Sequence, residues 1–119
     1  MIHYYRDMPR ASEREPAGGR GEMTYRTLFE PADLGGRTGM FADVTLPAGA
    51  LVGEHLHDSD CETFWILEGE AVLTEDGKQY PVSAGDIEFC PRGHSHGLEN
   101  RTDRPVRFLA LQFKGEVQP

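Results

Sequence analysis

From Thr24 onward the chain alternates short apolar-rich runs with turn residues, at a spacing of roughly 8–12 positions. Residues 24–29 (TYRTLF), 39–46 (GMFADVTL), 51–57, 62–67 (ETFWIL), 70–74 (EAVLT), 78–82 (KQYPV), 86–90 (DIEFC), 94–99 and 106–113 (VRFLALQF) each read as a strand. Between them stand Pro47-Ala48-Gly49, Glu68-Gly69, Asp76-Gly77, Ser83-Ala84-Gly85, Pro91-Arg92-Gly93 and the polar stretch 100–105. Asp-Gly between strand-like runs is a strong signal for a two-residue hairpin. No long stretch carries the 3.6-residue period of a helix; only Ala32–Gly36 predicts a helical turn, and a short one. The pattern predicts an all-β sandwich or barrel.

Ahead of these runs, residues 9–23 (PRASEREPAGGRGEM) are polar and rich in Gly, Pro and charge, with little to bury. Residues 1–23 are therefore expected to be an N-terminal arm docked on the barrel or on a partner subunit, and 24–119 the barrel domain. A chain of 119 residues fits one domain and buries roughly two-thirds of its unfolded surface, enough for one core. No run of 18 apolar residues occurs, so no membrane span is expected. The N-terminus lacks the pattern of a secretory signal, which makes a cytoplasmic location the expectation. A net charge of -8 without a basic run argues against a nucleic-acid partner. Cys61 and Cys90 form no CxxC pair, and reduced thiols are expected.

The candidate chemistry begins in "GALVGEHLHDSDCE" (49–62). On a strand, residues i and i+2 share a face, so His55 and His57 project together, about 7 Å apart. The polar turn Asp58–Cys61 then reverses the chain and brings Glu62 onto a neighbouring strand. Two imidazoles and a carboxylate on adjacent strands suit a metal ion; two solvated imidazoles on an edge strand read equally well from this cluster alone. Cys61, one position before Glu62, is expected to point away.

A second cluster changes the balance. Gly85, Pro91, Gly93, His96 and Asn100 are spaced G-x5-P-x-G-x2-H-x3-N, and Gly49 to Gly69 reads G-x5-H-x-H-x4-E-x6-G, with 15 residues between the two. Together they resemble the cupin family at every signature position over residues 49–100. The resemblance implies an antiparallel double-stranded β-helix, the jelly-roll or cupin barrel, with one divalent transition metal inside it: Mn, Fe, Ni, Zn or Cu. It carries over His55, His57, Glu62 and His96 as metal ligands. Three imidazoles and one carboxylate leave two positions of an octahedron for water, dioxygen or a bidentate ligand. The resemblance also implies a homodimer, in which exchange of N-terminal strands would order residues 1–23.

The remaining residues are weaker candidates. His94 reads either as an acid/base group at the cavity mouth or as a solvated loop histidine. Cys90 is expected to be a small buried hydrophobe. Phe64, Trp65, Ile66 and Leu67 are apolar on both faces of one strand, so the outer face is expected to be covered by another sheet or by a subunit. Arg26, Arg37, Arg92 or Arg107 would supply a carboxylate clamp if one faced the cavity. The function expected is that of a small metal-dependent enzyme, of dioxygenase, isomerase or lyase type, acting on an oxygen-bearing small molecule. The alternative is a non-catalytic module that binds a dicarboxylate or sugar with the metal as docking point.

Overall fold

The computed structural model describes residues 1–114; residues 115–119, the end of the expected barrel domain, lie outside the described residues. The chain forms β1 (Arg10–Arg14), β2 (Glu22–Thr27), β3 (Thr38–Leu46), β4 (Leu51–Leu56), β5 (Asp60–Glu68), β6 (Glu70–Glu75), β7 (Lys78–Ser83), β8 (Ile87–Cys90), β9 (Ser95–Glu99) and β10 (Val106–Lys114). Among the described residues the only helical pieces are short 3-10 turns, at Tyr5–Asp7, Pro16–Gly18 and Pro31–Leu34. The last of these overlaps the helical turn expected over 32–36.

Two antiparallel sheets result. One has six strands in the order β1-β2-β3-β10-β5-β8, the other four in the order β4-β9-β6-β7. No ladder joins them among the described strands, so the fold is two facing sheets, open at the edges, in the jelly-roll arrangement. The alternation in β10 places Val106, Phe108 and Ala110 inward, beside Phe64 and Ile66 of β5 and Val44 and Leu46 of β3. The smaller sheet meets them with Val52, Ala71, Leu73 and Leu98. Burying each of the larger side chains here contributes roughly 1.5–3 kcal/mol, which makes this apolar layer the main cohesion between the sheets. The Asp76-Gly77 turn forms as expected: φ is +46° and +80° at its two residues, the left-handed pair that joins β6 tightly to β7.

The arm departs most from what its composition indicates on its own. Residues 10–14 form a strand paired in register with β2, from Arg10 opposite Arg26 to Arg14 opposite Glu22. Every residue of β1 is exposed, so no alternation marks it; backbone pairing orders it. Met8, Pro16 and Met23 anchor its ends in buried positions. Arg20 bridges to Leu51 and pairs with Glu99 at 2.6 Å, tying the following turn to the smaller sheet.

Among the described residues, none covers the outer face of β5 and β8. Trp65 stands beside Ile87 in register, and Phe89 lies opposite Thr63; these three apolar residues are 43, 68 and 53% exposed.

Candidate metal centre

His55 and His96 are direct cross-strand partners in the β4–β9 ladder. A bulge between Val52 and His55 sets that pairing, and Gly97 makes room for it: a Cβ there would meet the Val52 carbonyl oxygen at 2.7 Å. His57 lies just past β4 and is held by backbone bonds to His94 and Gly93. Glu62 arrives from the opposite side. The sequence places it on a strand neighbouring β4, but β5 belongs to the six-stranded sheet. The short connection after His57 crosses from one sheet to the other, so the carboxylate faces the imidazoles across the interior.

The four groups converge. The Nε2 atoms of His57 and His96 are 3.0 Å apart, and Glu62 Oε1 lies 3.1 Å from the first and 3.0 Å from the second. His55 Nε2 is 3.7 Å from the same oxygen. All four donor atoms fall within 4.8 Å of one another. His96 and Glu62 are almost wholly buried, and the ring of Phe64 stacks on His96 at 4.3 Å.

Each imidazole is oriented through its other nitrogen. His96 Nδ1 donates to Glu88, at 2.9 and 3.1 Å from the two carboxylate oxygens. His57 Nδ1 donates to Asp60 at 2.7 Å, and His55 Nδ1 to the Gly53 carbonyl at 2.8 Å. With those protons committed outward, the neutral tautomers leave three bare Nε2 lone pairs and one carboxylate pointing at one another. Four acceptors without a donor between them repel unless a cation joins them, and outward Nδ1 hydrogen bonds are how metal-ligating histidines are held. The residues fit a divalent transition ion in an N3O shell.

The charge balance agrees. Burial alone pushes the Glu62 carboxyl up, but in the ion-free cluster the facing His55, His57 and His96 rings hold it well below the usual carboxylate range. Burial pulls His96 down, yet Glu62 and Glu88 outweigh it and hold the imidazole up at about 9. His57 is raised chiefly by its bond to Glu62. Without an ion the cluster takes up protons in its place.

A cavity of about 420 Å³ opens beside the cluster, and His55 and Glu62 form part of its wall. Its other sides come from β2, β3, β10, the Pro16–Ala17 turn and Glu13 of the arm. The arm therefore helps build the chamber next to the centre.

His94 lies outside this cavity's lining: its side chain is 54% exposed and its Nδ1 bonds Asp76 Oδ2 at 2.7 Å. Nor does any of the four arginines line it. Arg26 donates to the Tyr5 and Met8 carbonyls, Arg92 to that of Asp58, and Arg107 pairs with Asp43 and Glu68. Cys61 and Cys90 are buried and unbridged. Burial pushes the Cys90 thiol up to about 12, so it stays protonated beside Glu88 and His96. The orienting acids Asp60 and Glu88 are not identified as functional in the sequence. Glu88 had a visible signal, a carboxylate inside the apolar run "DIEFC"; Glu13, in a strand without alternation, had none.

Comparison with known proteins shows the family. The chain is 37% identical over 94 residues to the oxalate-binding protein of Thermotoga maritima, covering 79% of this chain and 78% of that one. A Thermotoga maritima crystal structure, described as a predicted oxalate decarboxylase, superposes with a TM-score of 0.92 at 32% identity, over 96% of this chain and 99% of the other. A cupin-superfamily sugar phosphate isomerase from Silicibacter pomeroyi superposes at a TM-score of 0.76 with 27% identity, over 96% and 76%. Residues 42–112 match the cupin domain family model, which covers both signature patterns and most of the strands that carry the cluster; the chain belongs to the cupin family.

Proposed function

We propose that His55, His57, Glu62 and His96 hold one divalent transition ion, and that this centre captures an oxygen-bearing small molecule, of keto-acid or dicarboxylate class, in the adjoining cavity. The observation that carries this reading is the set of four acceptor atoms within 4.8 Å, with every Nδ1 committed outward, beside a half-open chamber that His55 and Glu62 help to line. A bound ion would supply Lewis acidity and a docking point for carboxylate or carbonyl oxygens. The protein's own residues do the rest. Glu88, Asp60 and the Gly53 carbonyl fix the three rings, and Phe64 walls off His96. His55 and Glu62 present the open side of the cluster to the chamber. Similarity to a protein named for binding oxalate supports the ligand class.

The enzyme reading, of dioxygenase, isomerase or lyase type, has one observation in its favour. Glu13 and Glu30 line the same chamber as His55 and Glu62, which puts two groups able to move a proton within the ligand's space. Both readings keep the chain as a cytoplasmic homodimer; what supports the pairing is the bare apolar face around Trp65, Ile87 and Phe89.

The test is elemental analysis of freshly purified protein and of His57→Ala, followed by calorimetric titration of each with oxalate. The parent is expected to carry near-stoichiometric metal and to bind oxalate; His57→Ala is expected to lose both while staying folded. Unchanged metal content in the variant would falsify the ligand set. Oxygen uptake or product formation from keto acids then separates catalysis from capture.

A further inference from the structure

The chamber is large and mismatched to a bare dicarboxylate. At about 420 Å³ it lies within the roughly 300–1,000 Å³ of sites that enclose drug-sized ligands. A water molecule takes roughly 30 Å³ of liquid volume, so a six-atom ligand such as oxalate would leave most of this space to solvent. Its apolar walls are Met23, Val44, Phe64 and Phe108, all buried core side chains, with half-buried Tyr25 and Met40 packed against that core. Solvent held against such a surface gains little from its walls, whereas an apolar ligand body gains from leaving water.

The charges around the chamber sharpen this. None of the lining residues is Lys or Arg. The four arginines with a chance of entering stay outside the lining: Arg107 pairs with Asp43 and Glu68, Arg26 and Arg92 donate to backbone carbonyls, and Arg37 is exposed. Glu13, on the edge strand β1 with three strands between it and the β5 that carries Glu62, and Glu30 add exposed carboxylates to the lining. A divalent ion held by three neutral imidazoles and one carboxylate keeps a single net positive charge, and it is the only positive charge the lining would offer. Anionic groups of a ligand can therefore be compensated only at the cluster; a second carboxylate placed further out would meet Glu13 or Glu30 instead of a cation.

We propose that the chamber selects amphiphilic ligands: a compact anionic chelating head of the α-keto-acid type, carried on an uncharged apolar body that fills the space between Met23, Met40 and Phe108. Met40 is well placed to set the length of that body, since its backbone is pinned by Gln112 at 3.1 Å and its side chain packs against the core from the chamber side. The selection comes from the apolar walls and the absence of a protein cation, whatever the identity of the ion. This inference rests on the metal-centred capture proposed above.

The experiment is isothermal titration calorimetry of the full chain loaded with Mn²⁺, using four probes: oxalate, pyruvate, 2-oxooctanoate and 2-oxoglutarate. Pyruvate, 2-oxooctanoate and 2-oxoglutarate share one head and differ only in having no tail, an apolar tail or a charged one. Each buried methylene adds roughly 0.8 kcal/mol, so even partial burial of the tail predicts at least tenfold tighter binding of 2-oxooctanoate than of pyruvate. 2-Oxoglutarate is expected to bind no more tightly than pyruvate. Glu13→Gln, at an exposed lining position, is expected to tighten 2-oxoglutarate several-fold, and by more than it changes 2-oxooctanoate. If oxalate binds but 2-oxooctanoate and pyruvate bind equally, or 2-oxoglutarate binds tightest, the amphiphile selection is overturned while capture at the ion stands. If none of the four binds the loaded protein, capture at the ion fails, and this inference with it.

Discussion

His96 and His55 face each other across one rung of the same ladder, yet they live in different surroundings. His96 has no exposed side-chain surface and sits between two carboxylates, Glu62 and Glu88, with Phe64 stacked on its ring. His55 keeps 28% of its side chain exposed, leans on a single backbone carbonyl and borders the chamber. One side of the cluster is closed and charge-compensated; the other is open. A site that must hold an ion firmly and still admit a guest needs both characters, and here they are divided between two histidines on neighbouring strands.

The comparison breaks most sharply under substitution of the closed side. His96→Ala leaves Glu62 and Glu88 buried with their shared partner gone, which costs about 3–5 kcal/mol as for other broken buried pairs. It is expected to lose the metal and to melt well below the parent. His55→Ala is also expected to release metal, but the stability of its metal-free form should stay within about 0.5 kcal/mol of the metal-free parent, as at other partly exposed positions. Melting curves of the chelator-treated proteins decide this, and equal losses in the two variants would erase the distinction.

A smaller effect is expected from Glu88→Gln, which keeps the shape of the side chain and removes its charge. Outer partners of metal-bound histidines typically account for 10–100-fold in affinity. A competition titration with a chelator should show a loss in that range, and His55, oriented by a carbonyl, has no side chain that could be neutralised to the same end. An unchanged affinity would mean that the Glu88 carboxylate only fills space.

The smallest effect concerns the tie between the arm and β9, the strand that carries His96. Arg20 ties the turn after β1 to Glu99, and with Arg101 it holds the Glu99 carboxyl below its usual value near 4.5. A depressed carboxyl pKa contributes stability that is present above the unfolded value and fades as the pH falls through the folded one. Arg20→Ala is expected to cost about 0.2–1 kcal/mol at neutral pH, as for exposed pairs. Denaturant melts should show the gap to the parent closing as the pH drops below about 4. A gap that persists in acid would assign the loss to packing of the arm.

What could be read along the chain differs between these two sides. The strands from β2 to β10 announce themselves because alternation at a period of two and residues such as Asp76-Gly77 act locally. The four converging groups are legible too, through the resemblance of two spaced patterns to the cupin signatures. Glu88 is half legible, as a charge inside an apolar run. The open side is nearly illegible. β1 has five exposed residues and no pattern, and Glu13 reaches the chamber only because that strand pairs with β2. The arginines read the other way: four candidates for a clamp stand in the sequence, and the fold sends all four elsewhere.

The sequence by itself determined an all-β chain, through short-range periodicity, and its resemblance to the cupin signatures implied the four converging side chains. Only the tertiary structure decided that Glu62 meets the histidines from the facing sheet, that the polar arm becomes a strand beside the chamber, and that the chamber holds no protein cation. Those outcomes depend on which distant segments pair and which side chains find partners, and such long-range choices leave no periodic mark on the residues that make them.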